Sequence, residues 1–168
     1  MIGIIGQGFV GNAVYKKFKN FYEVLTYDLD KDKCNSDIEE IVFKCENIFV
    51  CLPTPMSKDG SCDISIIEQT LSSIDLIADN LETIKTVVLK STIPPGTTES
   101  LNKKFTSLNI VFNPEFLTER NAVKDYDNQK RIILGGPRPA TTELKTIFSK
   151  VFPKAHIIKT DSSHAEMV

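Results

Sequence analysis

The amino-acid sequence predicts an α/β fold, a Rossmann-type doubly wound sheet that is mainly parallel and carries helices on both faces. Three observations carry that expectation. The chain opens on Met1-Ile2-Gly3-Ile4-Ile5, an apolar run rich in β-branched residues and without alternation, as suits a central parallel strand covered on both faces. The run empties into Gly6-Gln7-Gly8-Phe9-Val10-Gly11, which has G-x-G-x-x-G spacing, and Val10, Ala13, Val14 and Phe18 follow at helical spacing. Strand-like and helix-like patterns then alternate to the end of the chain, with no internal repeat or low-complexity segment.

Each element has its own local reason. Residues 1–5 form the first strand, 10–19 a helix and 22–27 the second strand. Ser36 is placed to cap a helix over 37–44, with Glu39 as its capping-box partner. Residues 47–52 form the third strand. Asp63 caps the next helix, in which Ile66, Ile67, Leu71, Ile74, Ile77 and Leu81 recur on one face. Residues 86–89 form the fourth strand, and Pro94-Pro95-Gly96 breaks the chain before a short helix that starts at Thr97 or Thr98 and runs to Phe105. Residues 109–112, 131–134 and 156–158 are the later strands, with a helix from Thr141 or Thr142 to Lys150 between the last two. In such sheets ligands bind beyond the carboxyl ends of the strands, which directs attention to the residues after Ile5, Tyr27, Leu52, Leu89 and Phe112.

A chain of 168 residues is long enough for one domain with a substantial core, and its charged fraction of 25% is that of an ordinary soluble protein. The net charge of −2 is scattered, so nucleic-acid or membrane partners have no electrostatic support. The apolar start is only about five residues long, far short of a signal peptide or a membrane span, so a cytoplasmic location is expected. Cys34, Cys45, Cys51 and Cys62 include no C-x-x-C pair, so no metal site is expected. Cys51 lies within an apolar run and reads as a small buried hydrophobe.

The glycine-rich turn has a specific chemical reading. Gly6 permits the tight turn, Gly8 lets a pyrophosphate approach the backbone, and Gly11 lets the helix press onto the strand. The helix N-terminus then offers unpaired amides and a positive dipole end to the phosphates. Asp28 follows the second strand about 20 residues after the first glycine, where a carboxylate accepts the adenosine ribose hydroxyls. It would repel the extra phosphate of NADP, and no arginine follows to receive one, so NAD is favoured. Lys33 is placed either to reach that ribose or a phosphate, or to belong to a solvated charged turn. After the later strands come Leu52-Pro53-Thr54-Pro55, Lys90-Ser91-Thr92 and Asn113-Pro114-Glu115-Phe116-Leu117-Thr118-Glu119, which bring hydroxyls and carboxylates toward the cofactor path. If the last segment is helical, Glu115 and Glu119 lie one turn apart on one face. They then either include a general base or belong to a solvated helix.

Taken together and in this order, the glycine turn, Leu52-Pro53-Thr54-Pro55, the segment Ser91-Thr92-Ile93-Pro94-Pro95-Gly96-Thr97-Thr98 and Asn113-Pro114-Glu115-Phe116-Leu117 resemble the UDP-glucose/GDP-mannose dehydrogenases. The resemblance covers essentially all 168 residues and continues through Ala122-Val123-Lys124-Asp125-Tyr126. It implies an enzyme that uses two NAD to take the C6 alcohol of a nucleotide sugar to a carboxylate through a cysteine-bound thioester. UDP-glucose is the favoured sugar, with GDP-mannose and UDP-N-acetylmannosamine as alternatives.

By the same resemblance, Gly6, Gln7, Gly8, Phe9, Val10, Gly11, Asp28 and Lys33 would hold the pyrophosphate and adenosine ribose. Cys51, Leu52, Pro53, Thr54, Ser91 and Thr92 would line the cofactor. Glu115 would assist thioester hydrolysis with Thr92 positioning water, Glu119 would touch the nicotinamide side, and Glu115, Phe116, Leu117, Thr118 and Glu119 would border the sugar. The family's nucleophilic cysteine, its central-helix lysine and asparagine, and its aspartate near the cysteine have no counterparts here. Ser163-His164-Ala165-Glu166 reads as a capping box opening that central helix. The expected organisation is therefore an NAD-binding domain over 1–162 and the start of a truncated helix over 163–168, inactive alone. Homo-oligomers are expected of full-length relatives, whose interface uses that helix. The alternative reading is a free-standing NAD-binding module or half of a split enzyme.

Overall fold

The apolar run at the start of the chain folds as β1 (Ile2–Ile5), buried at all four residues, in a computed structural model that describes residues 1–168. β1 pairs in parallel with β2 (Val24–Tyr27) on one side and β3 (Asn47–Val50) on the other. β4 (Lys85–Leu89) and β5 (Leu108–Phe112) continue the parallel sheet. β6 (Arg131–Gly135) runs antiparallel to β5, with Phe112 opposite Gly135, and pairs in parallel with β7 (His156–Thr160). The seven strands lie in the order β2-β1-β3-β4-β5-β6-β7. The chain steps outward from β1 to β2 and then returns to β3, so the order reverses between β1 and β3. A crevice opens there, outside the carboxyl ends of the strands.

Alternate strand residues feed two cores. Ile2, Ile4, Phe49, Val88 and Val111 pack with α1 (Phe9–Phe18), α5 (Ala122–Asp127) and α6 (Arg138–Val151). Ile5, Ile48, Val50, Val87, Leu89, Ile110 and Phe112 pack with α2 (Ile38–Lys44), α3 (Ser65–Asn80) and α4 (Thr97–Lys104). This is the period of two expected of a sheet covered on both faces. In the first core Phe18 meets Phe49 and Phe148 edge-on at 5.0 and 5.7 Å, contacts worth about 0.5–1.5 kcal/mol each beyond burial.

Several boundaries differ from the local patterns, each for a visible reason. β2 starts at Val24, because the Tyr22 amide still donates to the Phe18 carbonyl in the turn that closes α1. α2 is capped by Asp37, whose Oδ1 accepts from the Glu40 amide at 2.7 Å; the Ser36 hydroxyl instead meets the Glu40 carboxylate. A carboxylate at the cap also faces the positive end of the helix dipole. Asp63 sits one residue further out than expected, with α3 starting at Ser65, whose amide it accepts at 2.9 Å. α6 begins at Arg138 because Pro139 suits a first turn, where its missing N–H is no loss. α5 forms between β5 and β6, over residues for which the sequence carried no helix expectation.

The capping-box reading of the last residues is corrected as well. α7 (Ser162–Glu166) is capped by Asp161, whose Oδ1 accepts from the His164 amide at 2.9 Å. Glu166 does not reach back to Ser163. It accepts from the Gly96 and Thr98 amides at 2.6 and 2.7 Å and so caps α4 from across the fold. Five residues cannot sustain a helix on their own; tertiary contacts hold this one, with Ala165 fully buried.

Candidate functional site

The floor of the crevice is the turn between β1 and α1. Gly6 takes a φ of +92°, and its amide donates to the Tyr27 carbonyl at 2.8 Å, which locks the turn to β2. A Cβ on Gly11 would overlap the Gly6 carbonyl oxygen, so the helix can press onto the turn only through glycine. A Cβ on Gly8 would meet no protein atom within 4 Å, so nothing in the protein demands glycine there. α1 starts with no side-chain cap and no acidic residue in its first turn. Its amide donors and positive dipole end thus face open space that can accept a phosphate pair.

Asp28 stands at the end of β2. Its Oδ2 accepts from the Gln7 amide at 2.5 Å and its Oδ1 from the Asp30 amide at 2.9 Å, tying the second strand end to the glycine turn. Burial alone would raise this carboxyl, but the amide bonds from Asp30 and Gln7, the charge of Lys33 and the Leu29 amide outweigh it and hold it below its ordinary value. The Cys34 thiol donates to the Asp28 carbonyl and accepts from the Asp28 amide, both at 3.0 Å. Lys33 pairs with Asp30 at 3.2 Å in a half-exposed contact within the charged turn, and it also lines the crevice.

One cavity of about 830 Å³ gathers most of the residues singled out in the sequence. Gly6, Gly8, Phe9 and Val10 line it from the first turn, Asp28 and Lys33 from the second, and Cys51, Leu52, Pro53 and Thr54 from the end of β3. Ser91, Thr92 and Glu115 line it from the ends of β4 and β5. The Ser91 hydroxyl donates to the Leu52 carbonyl at 2.6 Å and accepts from the Leu52 amide at 3.1 Å, while the Thr54 hydroxyl donates to the Thr92 carbonyl at 2.8 Å. These bonds lock the turns after β3 and β4 to each other. Gln7 lines an adjoining polar cavity of about 630 Å³, and its buried Nε2 has no partner within the protein.

The segment after β5 departs from expectation. Residues 115–118 are not helical; the chain enters a 3-10 turn only at Glu119–Asn121, so Glu115 and Glu119 do not share a helical face. The Thr118 amide and hydroxyl both donate to Asp125 Oδ2, at 2.9 and 2.7 Å, which holds the strand-end segment extended over α5. Glu115 lines the cavity, with its Oε2 buried and without a hydrogen-bond partner. Phe116 is exposed under the Arg131 guanidinium, 4.6 Å from the ring centre, and Leu117 packs on the core beneath α1 and α6. Thr118 and Glu119 are exposed and lie outside the cavity wall.

Two further groups mark this end of the crevice. Burial pushes the Cys51 thiol up to about 12, so it carries no thiolate at neutral pH. Lys90, to which the sequence reading assigned no role, is buried and lines the cavity beside Ser91. Its signal in the sequence was a lysine set directly after the apolar Val87-Val88-Leu89, at a strand end that the topology turns inward.

A switch-point crevice with a glycine turn, an open helix N-terminus and a strand-end carboxylate is the architecture of the dinucleotide-binding class of α/β folds. Comparison with known proteins narrows the class. Residues 23–154 match the family model of the UDP-glucose/GDP-mannose dehydrogenase family, NAD binding domain. The chain is 30% identical to a UDP-glucose 6-dehydrogenase of Campylobacter jejuni over 99% of its own length and 50% of the relative's, and 28% identical to one of Haloferax volcanii over 99% and 49%. Among solved structures, a UDP-glucose dehydrogenase from Pyrobaculum islandicum superposes with a TM-score of 0.87 at 23% identity, covering 99% of this chain and 47% of that one. A GDP-mannose dehydrogenase from Pseudomonas aeruginosa gives 0.85 at 24%, again covering 99% and 47%; at these identities the likeness speaks for the fold. The chain belongs to the UDP-glucose/GDP-mannose dehydrogenase family, as its NAD-binding domain. It spans about half the length of the curated relatives it matches, and no helix in it is long and apolar enough to cross a membrane.

Proposed function

We propose that this chain is the NAD-holding part of a nucleotide-sugar 6-dehydrogenase that oxidises the C6 alcohol of UDP-glucose to a carboxylate. The observation that carries this reading is the single cavity onto which Gly8, Asp28, Thr92 and Glu115 converge, in a family whose curated relatives include UDP-glucose 6-dehydrogenases. Residues 6–11 take the pyrophosphate, and Asp28, flanked by Lys33, takes the adenosine ribose. Cys51, Leu52, Pro53, Thr54, Ser91 and Thr92 line the remainder of the cofactor. NAD, when bound, supplies the hydride acceptor. Glu115, whose carboxyl is raised by burial, serves as the base that takes a proton from a water held near Thr92. Phe116, Leu117, Thr118 and Glu119 continue from Glu115 beyond the wall of this cavity, and in this reading they border the sugar from outside it. In this reading residues 1–162 are the NAD-binding unit, and residues 163–168 carry most of the short helix α7 that packs against it.

Three of the four cysteines are not set up as nucleophiles: Cys51 and Cys45 are pushed up to about 12 and about 11 by burial, and Cys34 is bonded within the Asp28 turn; the fourth, Cys62, directs its thiol to the Thr92 carbonyl at 3.8 Å. The 168-residue polypeptide is therefore expected to bind NAD without turning over UDP-glucose. The test is a thermal-shift titration with NAD and NADP, followed by NADH absorbance with UDP-glucose. A ligand that binds only the native state raises its melting temperature by mass action, by about 2.7 kcal/mol of stability at a hundredfold excess over Kd. A shift with NAD exceeding that with NADP supports the cofactor site. A larger shift with NADP, or NADH formed by this polypeptide, contradicts the reading.

A further inference from the structure

A group of buried polar side chains, Lys90, Ser91 and Asn113, sits where β4 and β5 leave the sheet. Leu89 pairs with Phe112, and the Asn113 amide donates to the Leu89 carbonyl at 2.9 Å, so Lys90 and Asn113 emerge side by side. Lys90 is only 3% exposed. Its Nζ donates to Asn113 Oδ1 at 2.9 Å and to the Asn113 carbonyl at 3.4 Å, and lies 5.5 Å from the centre of the Tyr126 ring. Asn113 is anchored in turn by its Nδ2, which donates to the Ile133 carbonyl at 2.9 Å. A lysine with a free path to water extends its ammonium outward; this one is held inward by an asparagine that is itself immobilised. No carboxylate lies within ion-pair distance of it. Burying an ammonium with only neutral partners is costly, and the cost needs a reason.

Glu115 supplies one. It lines the same cavity as Lys90, and its Oε2 is buried without a hydrogen-bond partner, as is the Tyr126 hydroxyl. We propose that Lys90 is a positioning residue for Glu115: its ammonium, fixed by Asn113, acts across the end of the cavity to keep the Glu115 carboxyl in its base form. The inference rests on the reading of Glu115 as the base. Two further titratable groups face this pair, Cys51 and Tyr126. Burial holds the Cys51 thiol from the end of β3 neutral at up to about 12 and lifts the Tyr126 phenol from α5 well above its ordinary value. Asp28 and Lys33 also line the cavity, from the end of β2 and the turn after it. Burial raises Glu115 while the charge of Lys90 lowers it, and burial lowers Lys90 while Cys51 and Glu115 raise it.

The test is an NMR titration of the 168-residue chain carrying carboxyl-labelled glutamate and amine-labelled lysine, in the unaltered protein and in Lys90→Met, Lys90→Arg and Glu115→Gln. Removing the cation should raise the Glu115 midpoint by about one pH unit or more, while arginine, which keeps the charge, should leave it within about 0.3 units. Reciprocally, Glu115→Gln should lower the midpoint of the Lys90 ammonium. An unchanged Glu115 midpoint in Lys90→Met, or an equal displacement in Lys90→Met and Lys90→Arg, overturns the proposal. If Lys90→Met does not fold, the Glu115→Gln arm decides, and an unmoved Lys90 midpoint overturns it. The titration is read without turnover, so its failure removes the role of Lys90 alone. Failure of Glu115 as the base would show instead as thioester hydrolysis that proceeds in a Glu115→Gln variant of the complete enzyme.

Discussion

The carboxylate of Asp28 accepts amide bonds from Gln7 and Asp30, whereas one oxygen of Glu115 is buried with no partner at all. The two acids therefore answer to pH in opposite ways. The folded state holds Asp28 below its ordinary value, so its contribution to stability is present above the unfolded carboxyl pKa of about 3.9 and is lost as pH falls through the lower folded value. Glu115 is held above its ordinary value, chiefly by burial against the pull of Lys90. Its favourable contribution is present below an unfolded pKa of about 4.3 and is lost as pH rises through the folded value. Glu115→Gln should accordingly melt a few degrees above the unaltered protein at pH 7, with the gain vanishing near pH 4; calorimetry at both pH values checks it, and a gain that is independent of pH would contradict the assignment. Asp28→Ala removes the charged acceptor proposed for the adenosine ribose and should weaken NAD about tenfold while leaving NADP less affected, so that the preference narrows. Isothermal titration with both dinucleotides reads that ratio.

At the scale of elements, the short helices depend on one another rather than on their own sequences. α4 has eight residues and α7 five, too few for either to persist alone. Glu166 satisfies two amides at the start of α4, and Asn102 in α4 exchanges two 2.8 Å bonds with the backbone of Ile110 in β5. The loop that α4 follows carries Thr92, so this scaffold also sets one wall of the crevice. Glu166→Ala should cost about 1 kcal/mol, a lost helix cap, and lower the melting temperature by about 2–4 °C. Melting that is unaffected would mean that water caps α4 equally well. The Ser163–Glu166 spacing read as a local capping box because the pattern is the same whichever helix the glutamate serves; only the packing of α7 against α4 decides which amides it meets.

For the whole molecule, stability rests on two cores that share one sheet. Phe148 is 1% exposed and lies between Phe18, Phe49 and Phe152. Phe148→Ala should cost about 3–5 kcal/mol, a large share of the roughly 5–15 kcal/mol available to a domain, and should lower the urea midpoint accordingly. A midpoint within error of the unaltered protein would mean that α6 is not part of the cooperative unit. The sheet, its helical faces and the glycine turn were legible in the sequence because burial on both faces writes itself as unbroken apolar runs, and because a φ of +92° and the contact of Gly11 on Gly6 admit no side chain. Asp28 was legible for a similar reason, since its distance from the turn is set by one helix and one strand. Lys90 was not, because a lysine beside a strand reads as solvated until Asn113 and Tyr126 are seen to enclose it. Nor was the extended course of residues 115–118, which bonds between Thr118 and Asp125 impose against a helical reading of the two glutamates. The sequence by itself determined the architecture and the glycine turn, because these follow from local sterics and periodic burial. Only the tertiary structure decided which charges meet inside the crevice and which amides Glu166 caps, because those pairings join residues far apart in the chain through a geometry that no local pattern encodes.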